Sequence, residues 1–154
     1  MVTNSPINLI RMKKLLFLCS FLAVTTAFLA FVGKTKKYND GVYFGESRSI
    51  YVQEPYYGQT TVTIKNDEIV SVEFKIVDKT HNEVFDEKYE KHFKGNEEYI
   101  QQCRKDWEGV QTYPNKLLKK KSIDKVDAVS GATWSYNIFK ASLQEALKKA
   151  EVKE

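Results

Sequence analysis

Apolar and polar residues alternate most regularly between Thr60 and Val77, in the stretch TTVTIKNDEIVSVEFKIV. A period of two is typical of a half-buried strand, and Asn66 and Asp67 supply a turn between two such strands. The pattern predicts a β-hairpin with one polar face and one apolar face, the apolar positions being Val62, Ile64, Val70, Val72, Phe74 and Ile76. A shorter strand is predicted earlier, where two glycines bracket an apolar run: Gly41, Val42, Tyr43, Phe44 and Gly45.

After the hairpin the period of apolar residues changes to three and four, which predicts helices. Two apolar stripes between residues 83 and 108 are separated by Gly95-Asn96, so we expect two helices with a joint there. Pro114 favours the first turn of a short helix that ends at Leu118. A last helix is expected just after the stretch from Val126 to Tyr136, with its apolar face formed by Ile138, Phe139, Leu143, Ala146, Leu147 and Ala150.

The N-terminal region contains a segment of another kind. Leu15–Gly33, LLFLCSFLAVTTAFLAFVG, has no charged residue over nineteen positions, and it follows Arg11, Lys13 and Lys14. This arrangement predicts a secretion signal or a membrane-spanning helix with its N-terminus inside the cell. Two outcomes stay open at this point, cleavage after Ala27 and retention as an anchor.

Together these elements predict an α+β fold, a small antiparallel sheet packed by helices and preceded by an N-terminal hydrophobic signal or anchor helix. We expect residues 1–33 to form the cytoplasmic N-region and the apolar segment, and residues 38–150 to form one domain outside the membrane. Met12 is followed at once by KKLL, as a signal sequence begins, so we expect Met12 rather than Met1 to be the true start.

Composition excludes several classes of protein. The 24 basic residues are interleaved with 20 acidic ones, so no basic face for nucleic acid is predicted despite a net charge of +4. Two cysteines, Cys19 and Cys103, make no disulfide framework, and Cys103 is expected as a small buried residue on a helix. His81 and His92 have no CxxC or HExxH companion, so we interpret them as surface or edge histidines and predict no metal site.

Near the C-terminus the stretch VDAVSGATWSY contains a run of residues with small or hydroxylated side chains. The central residues are Ser130, Gly131, Ala132, Thr133 and Trp134. A helix cap, a phosphate cradle and a hydroxyl displayed for chemistry are the three interpretations, and a cap alone does not require the glycine and the alanine. Glycine permits a positive φ, and free N–H groups at a helix start attract a phosphate, which the Thr133 hydroxyl could itself carry.

The stretch DAVSGATWS, Asp127 to Ser135, resembles the attachment motif of the FMN-binding domain family. That family includes the FMN-carrying C subunit of sodium-pumping NADH:quinone oxidoreductase and related Rnf-type subunits. YNDGVYFGES and GQTTVTIKNDEIVSVEF are similar to the family's first strand and hairpin, so the resemblance extends over roughly Tyr38–Ala150. The resemblance implies that FMN is joined to Thr133 by a phosphoester. It also implies a flanking turn and an acidic position, formed here by Ser130, Gly131, Ala132 and Asp127.

In the family a separate, Mg²⁺-dependent flavin transferase attaches the flavin with FAD as donor, so the resemblance implies that enzyme as a partner. It further implies an electron carrier without catalytic residues of its own, placed on the extracytoplasmic side of a bacterial cytoplasmic membrane. Its redox partners are not identified by sequence. Residues 80–106 do not align with the respiratory subunits, which favours a free-standing anchored domain. Candidates to stack on the flavin ring are Tyr43, Phe44, Trp134 and Tyr136.

Two other functions compete with electron transfer. An anchored binding module could use the same pocket for a noncovalent ligand or partner, with SGAT serving only as a cap and a turn. A hydrolase could use Ser130 or Thr133 as nucleophile, but no suitably placed histidine is evident in the sequence.

Overall fold

The computed structural model describes residues 36–50, 52 and 55–153. This part of the chain contains an antiparallel sheet of four strands in sequential order: β1 (Gly41–Ser47), β2 (Tyr56–Lys65), β3 (Glu68–Asp78) and β4 (Glu83–Val84). Two α-helices follow, α1 (Glu97–Lys120) and α2 (Thr133–Ala150), together with 3₁₀ helices at Glu87–Phe93 and Ile123–Lys125. The α+β class and the antiparallel sheet are confirmed.

The predicted signal or anchor segment, Leu15–Gly33, lies outside the described residues. Within the part that is described, no helix combines the length and the apolar composition needed to cross a membrane.

The predicted hairpin is confirmed, with one shift in its register. Asn66 and Asp67 both have positive φ angles, 53° and 64°, as a two-residue hairpin turn requires. Ile64 pairs with Ile69, which leaves Val70 unpaired as a bulge. Val70 is therefore 46% exposed while Ile69 packs toward the core, so the prediction of a core-facing Val70 is wrong.

The last predicted helix is confirmed as α2, which begins at Thr133, slightly earlier than predicted, and packs closely on the sheet. A Cβ atom at Gly45 in β1 would stand 2.1 Å from the Ser142 carbonyl oxygen and 2.4 Å from the Ala146 nitrogen, so only glycine fits this contact. In β2 the Thr60 hydroxyl hydrogen-bonds the Ser142 hydroxyl at 2.6 Å. The main core forms here from Val62, Ile64, Val72, Tyr113, Leu117, Val126, Phe139, Leu143, Ala146 and Ala150.

The segment from residue 83 to residue 93 is not the helix that its apolar stripe predicted. Glu83–Val84 instead pairs with the end of β3, and a 3₁₀ helix occupies Glu87–Phe93. The two buried members of the stripe, Phe85 and Tyr89, still face inward, so the pattern identified the buried side but not the backbone conformation. The joint at Gly95-Asn96 is confirmed.

Helix α1 continues through Pro114, so the separate short helix predicted from Pro114 to Leu118 is wrong. Proline deprives a helix of one hydrogen bond, which favours a helix start at that residue. Here Tyr113 and Leu117, on either side of the proline, are fully buried in the main core. Their burial requires the helical spacing to continue, and it outweighs the missing bond.

A second core cluster lies near the end of β3 and contains Val52, Ile76, Phe85, Tyr89, Cys103, Trp107 and Ile138. Cys103 is buried on a helix, as predicted, and burial raises the pKa of its thiol to about 11.

His81 is exposed, and its ring centroid lies 4.3 Å from that of His92. Within the described ranges no group of three or more His, Cys, Asp or Glu residues could hold a metal ion.

Asp78 should make the stability of this fold sensitive to acid. Burial alone raises the pKa of Asp78, but hydrogen bonds from the Tyr89 hydroxyl, the His81 ring and the Thr80 N–H outweigh burial and hold the pKa below its usual value. A lowered pKa stabilises the fold above the unfolded pKa, about 3.9, and this stabilisation is lost as pH falls through the folded pKa. We expect the unfolding free energy to fall more steeply below about pH 4 in the unchanged protein than in Asp78→Asn. Urea unfolding at several pH values measures both slopes, and parallel slopes would contradict the assignment.

Candidate functional site

The residues from Asp127 to Ala132, here called the attachment loop, lead directly into the first turn of α2. Asp127, Ser130 and Gly131 are exposed, whereas Ala132 is fully buried. Thr133, the first residue of the helix, is exposed. Its hydroxyl makes no hydrogen bond within the described part of the chain, so it is free to react or to bind.

Gly131 is required by the backbone of the loop. Its φ is +80°, and the Ala132 N–H donates to the Val129 carbonyl at 2.9 Å, which closes a turn with the glycine in its third position. A positive φ at that position strongly favours glycine. The Lys105 side chain also lies against this glycine, since a Cβ atom there would be 2.8 Å from the lysine Cδ. The turn and this close contact thus explain why residue 131 is a glycine.

Helix α1 holds the attachment loop through side chains that the sequence analysis missed. The Tyr113 hydroxyl donates to the Ala132 carbonyl at 2.7 Å and accepts from the Val129 N–H at 3.2 Å. The Gln102 amide donates to the Gly131 carbonyl at 2.6 Å. These are contacts between residues 16 to 29 positions apart in sequence. A polar stripe on the predicted helix was visible, but nothing local indicated which loop it would meet.

The start of α2 is capped by another helix and not by its own motif. Its N-cap residue, Ala132, has no capping side chain, so a simple hydroxyl cap does not explain the motif. Instead the buried Asp106 of α1 accepts hydrogen bonds from the Ser135 N–H at 3.1 Å and the Ser135 hydroxyl at 2.8 Å. Burial raises the pKa of Asp106, while its bonds from Ser135 and Gln102 act in the opposite direction.

We expect Asp106→Ala to lower the unfolding free energy by about 2 kcal/mol, because it leaves the buried N–H of Ser135 without an acceptor and leaves the Ser135 hydroxyl only its 3.1 Å bond to the Ala132 carbonyl. Asp106→Asn is the matched control, since an amide oxygen can still accept both bonds, and it should cost clearly less. Chemical denaturation of the two variants measures the difference. Equal losses would show that the Ser135 bonds do not stabilise the helix start.

The four aromatic candidates for flavin stacking do not converge on one site. Trp134 is half-buried, with its ring centroid 5.3 Å from that of Tyr56 and 5.1 Å from that of Phe85. Tyr43 and Tyr136 pack against the main core. Phe44 is 46% exposed, and its chain neighbours Tyr43 and Gly45 point to the opposite, helix-covered face. Trp134 alone among the four is adjacent in sequence to Thr133.

The surroundings of Thr133 are suited to a phosphate and not to hydrolysis. The N–H groups of Thr133 and Trp134, at the positive end of α2, have no partner among the described residues. Lys105 and Lys116 approach the loop, the latter donating to the Asp127 carbonyl at 3.3 Å. Neither histidine contacts Ser130 or Thr133 in the described structure, since both rings lie beside Tyr89. The residues present therefore fit an FMN phosphate on Thr133.

Comparison with known proteins identifies the family of this chain. A crystal structure of a Clostridium perfringens protein is 21% identical, covers 73% of this chain and 88% of its own, and gives a TM-score of 0.49. A solution NMR structure of a Clostridium thermocellum protein is 23% identical, covers 75% and 95%, and gives a TM-score of 0.42. No curated protein sequence matches. The profile of the FMN-binding domain matches residues 56–148, which is more than half of the chain. This chain therefore belongs to the FMN-binding domain family.

Proposed function

We propose that this protein is a flavoprotein that holds FMN as a phosphoester on Thr133 and carries electrons on the extracytoplasmic side of a bacterial cytoplasmic membrane. Membership of the family supports FMN as the cofactor. The observation that carries the covalent proposal is the exposed Thr133 hydroxyl, unpaired within the described structure and placed at a helix start. When bound, the flavin supplies the redox chemistry, and this chain supplies its position.

The proposed attachment joins Thr133 Oγ1 to the phosphorus of the FMN group of FAD. The diphosphate bond of FAD breaks, AMP leaves, and the hydroxyl proton passes to a base. A threonine hydroxyl is a weak nucleophile without such a base. The described residues around Thr133 provide none, so the base and Mg²⁺ belong to a separate flavin transferase. This chain is the substrate of that step, and its part is to present the hydroxyl on a rigid helix start.

The proposed location is supported by the apolar segment Leu15–Gly33, which precedes the domain in sequence. A covalent bond has a clear advantage outside the cell. A cofactor that dissociates there is diluted, so occupancy of a noncovalent site would fall with its free concentration. A covalent bond removes that dependence.

The test is to produce the full chain with and without a bacterial flavin transferase and to denature it before electrophoresis. We expect a flavin-fluorescent band only with the transferase, together with the mass increase of one FMN less water. Absence of the band would contradict covalent attachment. Flavin that copurifies but is released on denaturation would indicate the noncovalent binding module instead.

A further inference from the structure

An open groove of about 500 Å³ lies along the first half of α1. This volume is within the range of small-molecule sites. The groove is lined by Asn96, Glu98, Tyr99, Gln101, Gln102 and Lys105. Two of these residues also touch the attachment loop at Gly131, Gln102 through its hydrogen bond and Lys105 through its aliphatic chain. The groove therefore opens beside the residue that the proposed function loads with FMN.

We propose that this groove seats the flavin, with Lys105 neutralising the phosphate on Thr133 and Tyr99 covering the isoalloxazine ring. The assignment rests on the proposed function, because it takes the ligand from there. The proposal adds a binding surface for the cofactor on α1, outside the attachment motif.

Lys105 is suited to a phosphate because its ammonium has no competing partner among the described residues. It forms no hydrogen bond or ion pair with the described residues. Other lysines do: Lys91 pairs with Glu83 at 2.7 Å, and Lys149 donates to the Phe44 carbonyl at 2.7 Å. The absence of a side chain at Gly131 lets the lysine lie across the loop, two residues before Thr133. A cation there adds to the positive end of α2.

Tyr99 is suited to the flavin ring because it is a large aromatic residue left 44% exposed in the groove. Phe93 packs edge-on against it with ring centroids 4.6 Å apart, which limits its orientation. Its hydroxyl makes no hydrogen bond in the described structure. Tyr99 and Lys105 are six residues apart, or ~9 Å along a helix. That separation lets one elongated ligand with an anionic end and an aromatic end contact both.

Two other clefts open along Trp107 and Gln111, and in the described structure no residue that lines either of them hydrogen-bonds the attachment loop. The larger contains three glutamates, Glu87, Glu90 and Glu108, while its arginine, Arg104, is already paired with Glu90 at 2.8 Å. An excess of carboxylates repels a phosphate. Charge therefore disfavours the larger of these two clefts, and position beside the attachment loop favours the groove that contains Lys105 over both.

The ring contact is tested with Tyr99→Leu on the full chain, flavinylated by the transferase. A tyrosine stacked on a flavin quenches its fluorescence, so we expect native flavin fluorescence to rise several-fold while the fluorescence of the denatured band stays unchanged. Phe44→Leu is the matched control, since Phe44 is equally exposed but lies on the uncovered face of the sheet. Native fluorescence that stays the same in Tyr99→Leu, or rises equally in Phe44→Leu, would overturn the assignment of Tyr99.

The phosphate contact is tested by the initial rate of flavin attachment to Lys105→Gln, with Lys119→Gln as an exposed control on the same helix. We expect a several-fold slower rate for Lys105→Gln and an unchanged rate for Lys119→Gln. Equal rates would overturn the role of Lys105. The two levels of proposal are separable, because an unchanged chain that acquires no flavin contradicts the proposed function and the groove together. Flavin that attaches normally in every variant, with unaltered fluorescence, contradicts only the groove.

Discussion

Thr133→Val, produced with the flavin transferase, should carry no flavin after denaturation. Valine keeps the branched shape of threonine at the exposed first position of α2, so the helix start is expected to fold as before. It removes the only atom to which the phosphoester could be joined at that position. The expected effect is complete loss of the fluorescent band, not a reduced yield. Gel fluorescence and intact mass, compared at equal protein load, measure it.

Ser130→Ala is the matched control for this experiment. Ser130 is the other exposed hydroxyl of the motif, three residues before Thr133, and it should leave the flavin in place. Thr133→Ser keeps a hydroxyl and should retain some attachment. A fluorescent band that persists in Thr133→Val and disappears in Ser130→Ala would move the attachment site to Ser130. A band that persists in both would place it outside the motif.

The largest effect on stability is expected for Gly45→Ala. The added Cβ would stand 2.1 Å from the Ser142 carbonyl oxygen and 2.4 Å from the Ala146 nitrogen, which are backbone atoms of a helix and cannot rotate away. Either α2 or β1 must move, and both contribute to the main core. Overpacking of this kind costs on the order of 3 kcal/mol, which we expect to appear as a lower unfolding free energy in urea.

Val42→Ala provides the control in the same strand. Val42 is 69% exposed, so shortening its side chain should change the unfolding free energy by no more than about 0.5 kcal/mol. A loss in Gly45→Ala as small as that of the control would show that α2 can move away from β1 without cost. The close contact would then not be a determinant of the fold.

Local signals in the sequence were sufficient for much of the sheet and for the last helix. The alternation on either side of Asn66 and Asp67 predicted both long strands, because a period of two and a two-residue turn are properties of adjacent residues. The same approach failed at Val70, where a bulge reverses the direction of one side chain. Prediction from local pattern also failed between residues 83 and 93. A short apolar stripe there is compatible with an α-helix and equally with the short strand and 3₁₀ helix that the structure contains.

The candidate site also has a part that local sequence predicts and a part that only distant contacts supply. SGAT, with its glycine and its hydroxyl, is a local pattern, and through the resemblance to the FMN-binding domain family it predicts Thr133 as the attachment residue. The residues that hold it in place, Gln102, Asp106 and Tyr113, come from a helix 19 to 29 positions earlier in the chain. Their role was not predictable, because a polar residue on a helix face has the same appearance whether it meets solvent or a loop.

The sequence by itself therefore predicted the three longer strands of the sheet, the existence of the last helix and the residue proposed to carry the flavin. These depend on backbone preferences and side-chain periods that act over a few residues. Only the tertiary structure decided that α1 runs unbroken through Pro114, that Asp106 caps α2, and that Lys105 and Tyr99 line a groove beside the attachment loop. These features arise from contacts between distant segments, and their energies exist only once the chain has brought those segments together.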